Sequence, residues 1–204
     1  MSSHRITIVG AGRVGRALGA NLLRLGHAVR YAVRAPATAT LPDGALGIPL
    51  DGAAAEAEVT ILAVPFDTVG EVVPRLGLPA GAVLVDATNP FGGPLPDGSS
   101  GAAVVAAAAG PGVHVVKAFN VLGAEHMEHP PLPDGYRPVL PVAGDDPGAR
   151  LTVVGLATAM GFDAVDVGGL EAASGLEAAA RYWGLLAFAG GRSRGVVLVA
   201  HQRP

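Results

Sequence analysis

The sequence predicts an α/β fold: a Rossmann-type, doubly wound, mostly parallel sheet with helices on both faces and a short helical C-terminal appendage. Three observations predict it. Strand-like apolar runs alternate with helix-length segments through most of the 204 residues. The first run ends in Gly10-Ala11-Gly12-Arg13-Val14-Gly15, a G-x-G-x-x-G turn lying between strand and helix. Near the end, Leu176 to Ala189 is apolar almost all round, as expected of a helix that must be buried.

Taken in order, Ile6, Ile8 and Val9 make the opening strand, and Val14, Leu18, Leu22 and Leu25 recur at helical spacing until Gly26. Ala28 to Val33 is the second strand. A short strand near Ala45 to Ile48 leads into a small Ala-rich helix. Glu58 to Val64 is a near-continuous apolar run, typical of a strand covered on both faces, and Pro65 ends it. Asp67 is placed to cap the next helix, which Pro74 should end or kink. Ala82 to Val85 forms a strand ending in Asp86-Ala87-Thr88-Asn89-Pro90. A Gly/Pro/Ser loop runs to Gly101, and an Ala/Val helix runs on to Ala109. Val113 to Val116 is the next strand, followed by Lys117-Ala118-Phe119-Asn120. Beyond the Pro-rich loop from Pro130 to Pro138, Val139 to Ala143 is a strand. Asp146-Pro147 then starts a helix that ends at Gly161. Phe162 to Val167 completes the sheet. The last helix sets Leu176, Ala180, Trp183 and Ala187 on one side.

The glycine turn carries the first chemical reading. Gly10 lets the backbone turn off the strand, Gly12 lets it approach a pyrophosphate, and Gly15 lets the helix pack close to the sheet. The helix start then aims N–H groups and its dipole at the phosphates. An acidic residue about 20 positions on would bond the ribose 2′-hydroxyl of NAD. None occurs from His27 to Pro42, and Arg34 stands at the strand end with Thr38 and Thr40 beyond. A guanidinium can grip a 2′-phosphate through paired charge-assisted hydrogen bonds, so the pattern favours NADP(H) over NAD(H). The bland alternative for Arg34 is a solvated loop arginine.

Ligands of such sheets bind beyond the carboxyl ends of the strands. That singles out Ala63, Val64 and Pro65, then Asn89 and Pro90, then Lys117, Ala118, Phe119 and Asn120. Small and polar residues there leave room for a nicotinamide ring and offer partners to its carboxamide. Asn89-Pro90 also reads as a plain turn. Lys117 stands against thirteen arginines as the one lysine. It is either a strand-end lysine that snorkels to solvent or a charge near the nicotinamide or phosphates. His126 and His129 have no third ligand at a supporting spacing, so no metal site is expected.

Residues 1–167 thus form the expected NADP-binding domain, and residues 168–204 a C-terminal helix and tail packed on it and on a second subunit. The competing use of the tail is for Val196 to Ala200 to fold back over the helix within one chain. A formal charge of −3 excludes a basic footprint for nucleic acid or anionic membrane, and Cys is absent, excluding disulfides and thiolate chemistry. No membrane span or leader is visible, so the expectation is a cytoplasmic protein. No Tyr-x-x-x-Lys pair, Ser/His/Asp arrangement or P-loop occurs, and no catalytic acid or base is singled out.

With these segments in view, the chain resembles the NADP oxidoreductases that act with the deazaflavin coenzyme F420. The resemblance rests on the glycine turn, Ala63-Val64-Pro65-Phe66, Asp86-Ala87-Thr88-Asn89-Pro90 and Val116-Lys117-Ala118-Phe119-Asn120. Ala143-Gly144-Asp145-Asp146-Pro147 and Gly161-Phe162-Asp163 extend it. It implies reversible hydride transfer between NADP(H) and F420, with Asn89, Pro90, Ala118 and Phe119 shaping the pocket where the two rings meet. One departure is that Ser174 precedes Gly175-Leu176-Glu177, where family members carry an arginine shortly before the Leu-Glu pair. Two alternatives stay open: an NADPH-dependent reductase of a flavin or ferric chelate, and a non-catalytic NADP(H)-binding redox sensor.

Overall fold

Branched apolar residues alternate in β1 (Arg5–Val9), so that Ile6 and Ile8 face one layer of the molecule while Val9 faces the other. The computed structural model describes residues 3–93, 95 and 99–201. Around β1 it builds an eight-stranded sheet. The strands are β2 (Ala28–Ala32), β3 (Leu46–Ile48), β4 (Val59–Leu62), β5 (Val83–Asp86), β6 (His114–Lys117), β7 (Val139–Gly144) and β8 (Asp163–Asp166). Their order is β3-β2-β1-β4-β5-β6-β7-β8. All pairs are parallel except β6–β7. The antiparallel strand follows from its connection: residues 118–138 hold only a single helical turn at Ala124–His126, with no crossover helix to bring the chain round.

The helices are α1 (Arg13–Arg24), α2 (Val69–Val72), α3 (Gly101–Ala109), α4 (Pro147–Met160) and α5 (Ala173–Gly184). Leu18 and Leu22 of α1 and Val153 and Leu156 of α4 close one face over Ile6, Ile8, Val116 and Val142. On the other face Val69, Val73 and Val105 cover Val9, Leu62, Leu84 and Val115. Asp146 caps α4 as expected, accepting from the Ala149 N–H at 2.7 Å, and Gly161 ends it at φ +108°.

Three local expectations need correction. Residues 51–56 form turns rather than an Ala-rich helix, because Gly52 sits at φ +72° and the Gly52 and Ala54 N–H groups donate to Arg75 O and Leu76 O instead of along a helix. Asp67 caps nothing: a single turn at Phe66–Thr68 precedes α2, and Thr68 takes the cap position without a side-chain bond. The last helix starts at Ala173, three residues early, and widens to a π-helical turn at Leu185–Ala189. Its expected inner residues, Leu176, Ala180, Trp183 and Ala187, are all buried. The tail does fold back, though as irregular chain and not a strand: Trp183 Nε1 donates to Val196 O at 2.7 Å, and Val139 N–H to Leu198 O at 2.9 Å. Part of the expected Gly/Pro/Ser loop, residues 94 and 96–98, lies outside the described residues.

Candidate functional site

The chain runs outward from β1 through β2 to β3, then returns to place β4 on the other side of β1. Strand order therefore reverses between β1 and β4, where a crevice opens beyond the carboxyl ends. Val9 pairs with Leu62 in register, so Gly10 and Ala63 stand side by side there. Gly10 holds φ +99°, and a Cβ on it would lie 2.6 Å from Ala63 O. A Cβ on Gly15 would lie 2.2 Å from Gly10 O. Gly19, which the sequence reading passed over, leaves room for the Tyr31 hydroxyl, and that hydroxyl donates to Gly15 O at 2.9 Å. Burial pushes the Tyr31 phenol well above its usual range against a small opposing effect of Arg16, so it stays neutral. Gly12 differs from its neighbours: it is exposed, and a Cβ there would meet nothing within 4 Å. No side chain caps α1 and its first turn carries no acid.

Beyond β2, Arg34 is exposed and among the described residues makes no hydrogen bond or ion pair. Thr38 and Thr40 follow, also exposed. A cleft of about 470 Å³ opens between the outer side of α1, Thr40–Pro42 and Glu125, beside the glycine turn rather than over the strand ends. Arg13 pairs there with Glu125, whose carboxylate also accepts from Arg194 Nε at 2.7 Å. Burial alone would raise the Glu125 carboxyl, but the Arg194 hydrogen bond and the two guanidinium charges bring it below its usual range.

At the far end of the crevice stands a buried ionic cluster. Asp86 and Lys117 are register partners at the tips of β5 and β6, both without exposure. Lys117 Nζ donates to Asp86 Oδ2 at 2.8 Å and to Thr88 O at 2.7 Å, and lies 3.2 Å from Glu177 Oε1 of α5. Two of its protons thus go to Asp86 and Thr88, while Glu177 faces the ammonium as an ion pair. Asp86 Oδ1 accepts from both Thr88 N–H and Thr88 Oγ1. Glu177 accepts in addition from the Gly101 and Ala102 N–H groups at 3.1 and 3.2 Å, so the α3 N-terminus offsets the second carboxylate. Asn89 Nδ2 donates to Asn120 O at 2.8 Å, and Asn120 Nδ2 donates to Asn89 Oδ1 at 3.0 Å and to Leu176 O at 3.2 Å.

The structure therefore gathers Gly10, Ala11, Gly12, Arg13, Val14 and Gly15 with Ala63, Val64 and Pro65 at the switch point, and Asn89, Pro90 and Asn120 farther along. Two expectations change. Lys117 does not snorkel to solvent: its ammonium is buried against Asp86, Thr88 O and Glu177. Phe119 turns its ring inward, edge-on to Phe162 at 5.8 Å between centroids, so only its backbone, held at φ +60°, borders the crevice. Ala118 is likewise fully buried. His126 Nε2 lies 2.9 Å from Gly195 O, and His129 lies beside Glu128. Asp86 and Glu177 were missed. The signal for them was a lone lysine on a strand and an acid in an otherwise apolar helix.

Residues 5–90 match the family model described as NADP oxidoreductase, coenzyme F420-dependent. The fold is that of an Arthrobacter sp. FB24 protein provisionally named an F420-dependent NADP-reductase, at 26% identity and a TM-score of 0.85, with 98% of this chain and 100% of that one covered. A hypothetical protein of Sinorhizobium meliloti is 32% identical, with 84% and 88% covered and a TM-score of 0.74. The rat metalloreductase STEAP3 is 34% identical over 176 residues, which are 85% of this chain. The match spans only 36% of that protein's length.

Proposed function

The chain belongs to the family of coenzyme F420-dependent NADP oxidoreductases, and on that premise we propose that it binds NADP(H) across the carboxyl end of the sheet and transfers a hydride between the nicotinamide and a deazaflavin. The observation that carries the reading is Gly12, with open space before the uncapped start of α1 at the switch point. A pyrophosphate fits there: a side chain at Gly12 would enter its space, and the α1 N–H groups face it without a competing acid. Arg34, with no partner of its own among the described residues, fits a 2′-phosphate. Asn89 and Asn120 fit the carboxamide end. When bound, the nicotinamide supplies the hydride chemistry, and the protein's part is to hold two rings face to face. Alignment at about 3–3.5 Å between reacting atoms suffices without a side-chain acid or base.

Incubation with NADPH and a panel of acceptors tests the reading, followed at the nicotinamide and deazaflavin absorbance bands. Turnover with F420 alone supports it. The likeness to a metalloreductase favours one second reading, in which the acceptor is a flavin or ferric chelate; turnover with those and not with F420 selects it. Tight NADPH binding with no turnover on any acceptor rejects both. Pairing of two copies belongs to the same proposal, through exposed Tyr182, Leu185 and Phe188. Leu176 and Trp183 are used inside the chain and take no part in it. Light scattering that finds only monomer at micromolar concentration removes the pairing.

A further inference from the structure

Lys117 is buried out of reach of solvent between two carboxylates, and stability is a poor reason for it, since buried ion pairs can often be replaced by apolar groups of similar volume without loss. Hydrogen bonds and one ion pair close a ring through it. Lys117 Nζ holds Thr88 O; the next residue, Asn89, exchanges two hydrogen bonds with Asn120; Asn120 Nδ2 reaches Leu176 O; the next residue, Glu177, returns to Lys117 Nζ. The ring ties the tips of β5 and β6 to α5 and fixes the orientation of the one amide pair at this end of the crevice. Each ring bond leaves Asn120 one atom short: Asn120 Oδ1 is buried and has no donor among the described residues. Because both acceptors near Nδ2 are oxygens, the amide cannot be turned round to satisfy it. A buried acceptor of this kind calls for an N–H donor.

We propose that Lys117 is a positioning residue: through the ring it fixes the Asn89–Asn120 pair so that Asn120 Oδ1 accepts from the carboxamide N–H of a bound nicotinamide. The inference rests on the NADP(H) reading above. It also makes the C-terminal helix part of the site, since the ring passes through Leu176 and Glu177.

The test compares three ligands by calorimetry: NADP⁺, its 3-acetylpyridine analogue, whose methyl ketone keeps the acceptor but lacks the N–H, and 2′,5′-ADP, which lacks the nicotinamide half. Two variants are used beside the wild type. Asn120→Ala removes the reader. Lys117→Met with Asp86→Asn opens the ring while keeping the cluster's formal charge, because one cation and one anion leave together. The wild type is expected to bind NADP⁺ about tenfold more tightly than the analogue. Both variants should bind the two alike, with 2′,5′-ADP unaffected. Discrimination that survives in the double variant overturns the proposal, as does a wild type that does not discriminate. Parallel loss of 2′,5′-ADP would mean that Lys117 only holds the fold, and overturns it too. Should the double variant not fold, Glu177→Gln carries the same test, because the amide keeps the volume but withdraws the negative charge that pairs with Lys117. A wild type that binds neither 2′,5′-ADP nor NADP⁺ rejects the NADP(H) reading itself, an outcome distinct from lost discrimination.

Discussion

At the glycine turn, α1 begins with no side-chain cap and no acid in its first turn, whereas at the β5–β6 end α3 begins against Ser100 Oγ and the Glu177 carboxylate. Both helices present the same unsatisfied N–H groups and the same positive end. One spends them on its own chain, to neutralise a buried cluster; the other leaves them facing open space before Gly12. The difference separates two kinds of polar end in one crevice. Where the chain supplies its own anion, the result is rigidity. Where it does not, a ligand anion is the natural partner.

Gly12→Val should break the comparison most sharply. The position has ordinary helix-entry angles, φ −71° and ψ −173°, and an added Cβ meets no described atom within 4 Å beyond its own chain neighbours. The variant should melt with the wild type and show no measurable NADP⁺ binding by calorimetry. Normal binding would show that the open space holds no phosphate. Lys117→Met alone makes the opposite change. It strands two buried carboxylates, which costs about 3–5 kcal/mol and lowers the melting temperature on the order of 10 °C. A melt indistinguishable from wild type would mean that the cluster is looser than its geometry.

Arg34→Ala sharpens the first end further. It is exposed and makes no hydrogen bond or ion pair among the described residues, so stability should not move, while NADPH affinity falls roughly tenfold to a hundredfold and NADH affinity stays the same. Equal losses for both nucleotides would reject a 2′-phosphate role. The smallest effect lies outside both regions, at the amino end of β2. Burial, then the nearby His4, holds His27 below its ordinary 6.5, and its Nδ1 accepts from the His4 N–H. The folded state thus disfavours the imidazolium. The unfolded chain binds more protons between the lowered value and 6.5, so this contribution is complete above pH 6.5 and lost as pH falls through that window. Melts between pH 7.5 and 5.5 should slope downward toward acid in wild type and flatten in His27→Gln. An unchanged slope assigns the acid sensitivity elsewhere.

The readable parts were those in which neighbours in sequence are neighbours in space. The glycine spacing, the helical repeat of Leu18 and Leu22, the missing acid before Arg34 and the Asp146-Pro147 start each concern a strand, a turn or a first helical step. Their steric and hydrogen-bonding demands are met within a few residues, so residue type alone carries them. Even there, both the Ala-rich segment after Ile48 and the acid Asp67 misled, because distant carbonyls at Arg75 and Leu76 took the N–H groups in one case and a preceding turn moved the helix start in the other.

Sequence by itself determined the α/β alternation, the glycine turn and the cationic, acid-free end of β2. Only the tertiary structure decided the antiparallel β7, the inward turn of Phe119, the tail over Trp183 and the meeting of Asp86, Lys117 and Glu177. The physical reason is separation: Lys117 lies 31 residues from Asp86, and Asn120 is bonded 56 residues away at Leu176. Whether a buried charge is paired or stranded depends on which segments the sheet order and the return of α5 bring to it, and no local preference of the chain encodes that meeting.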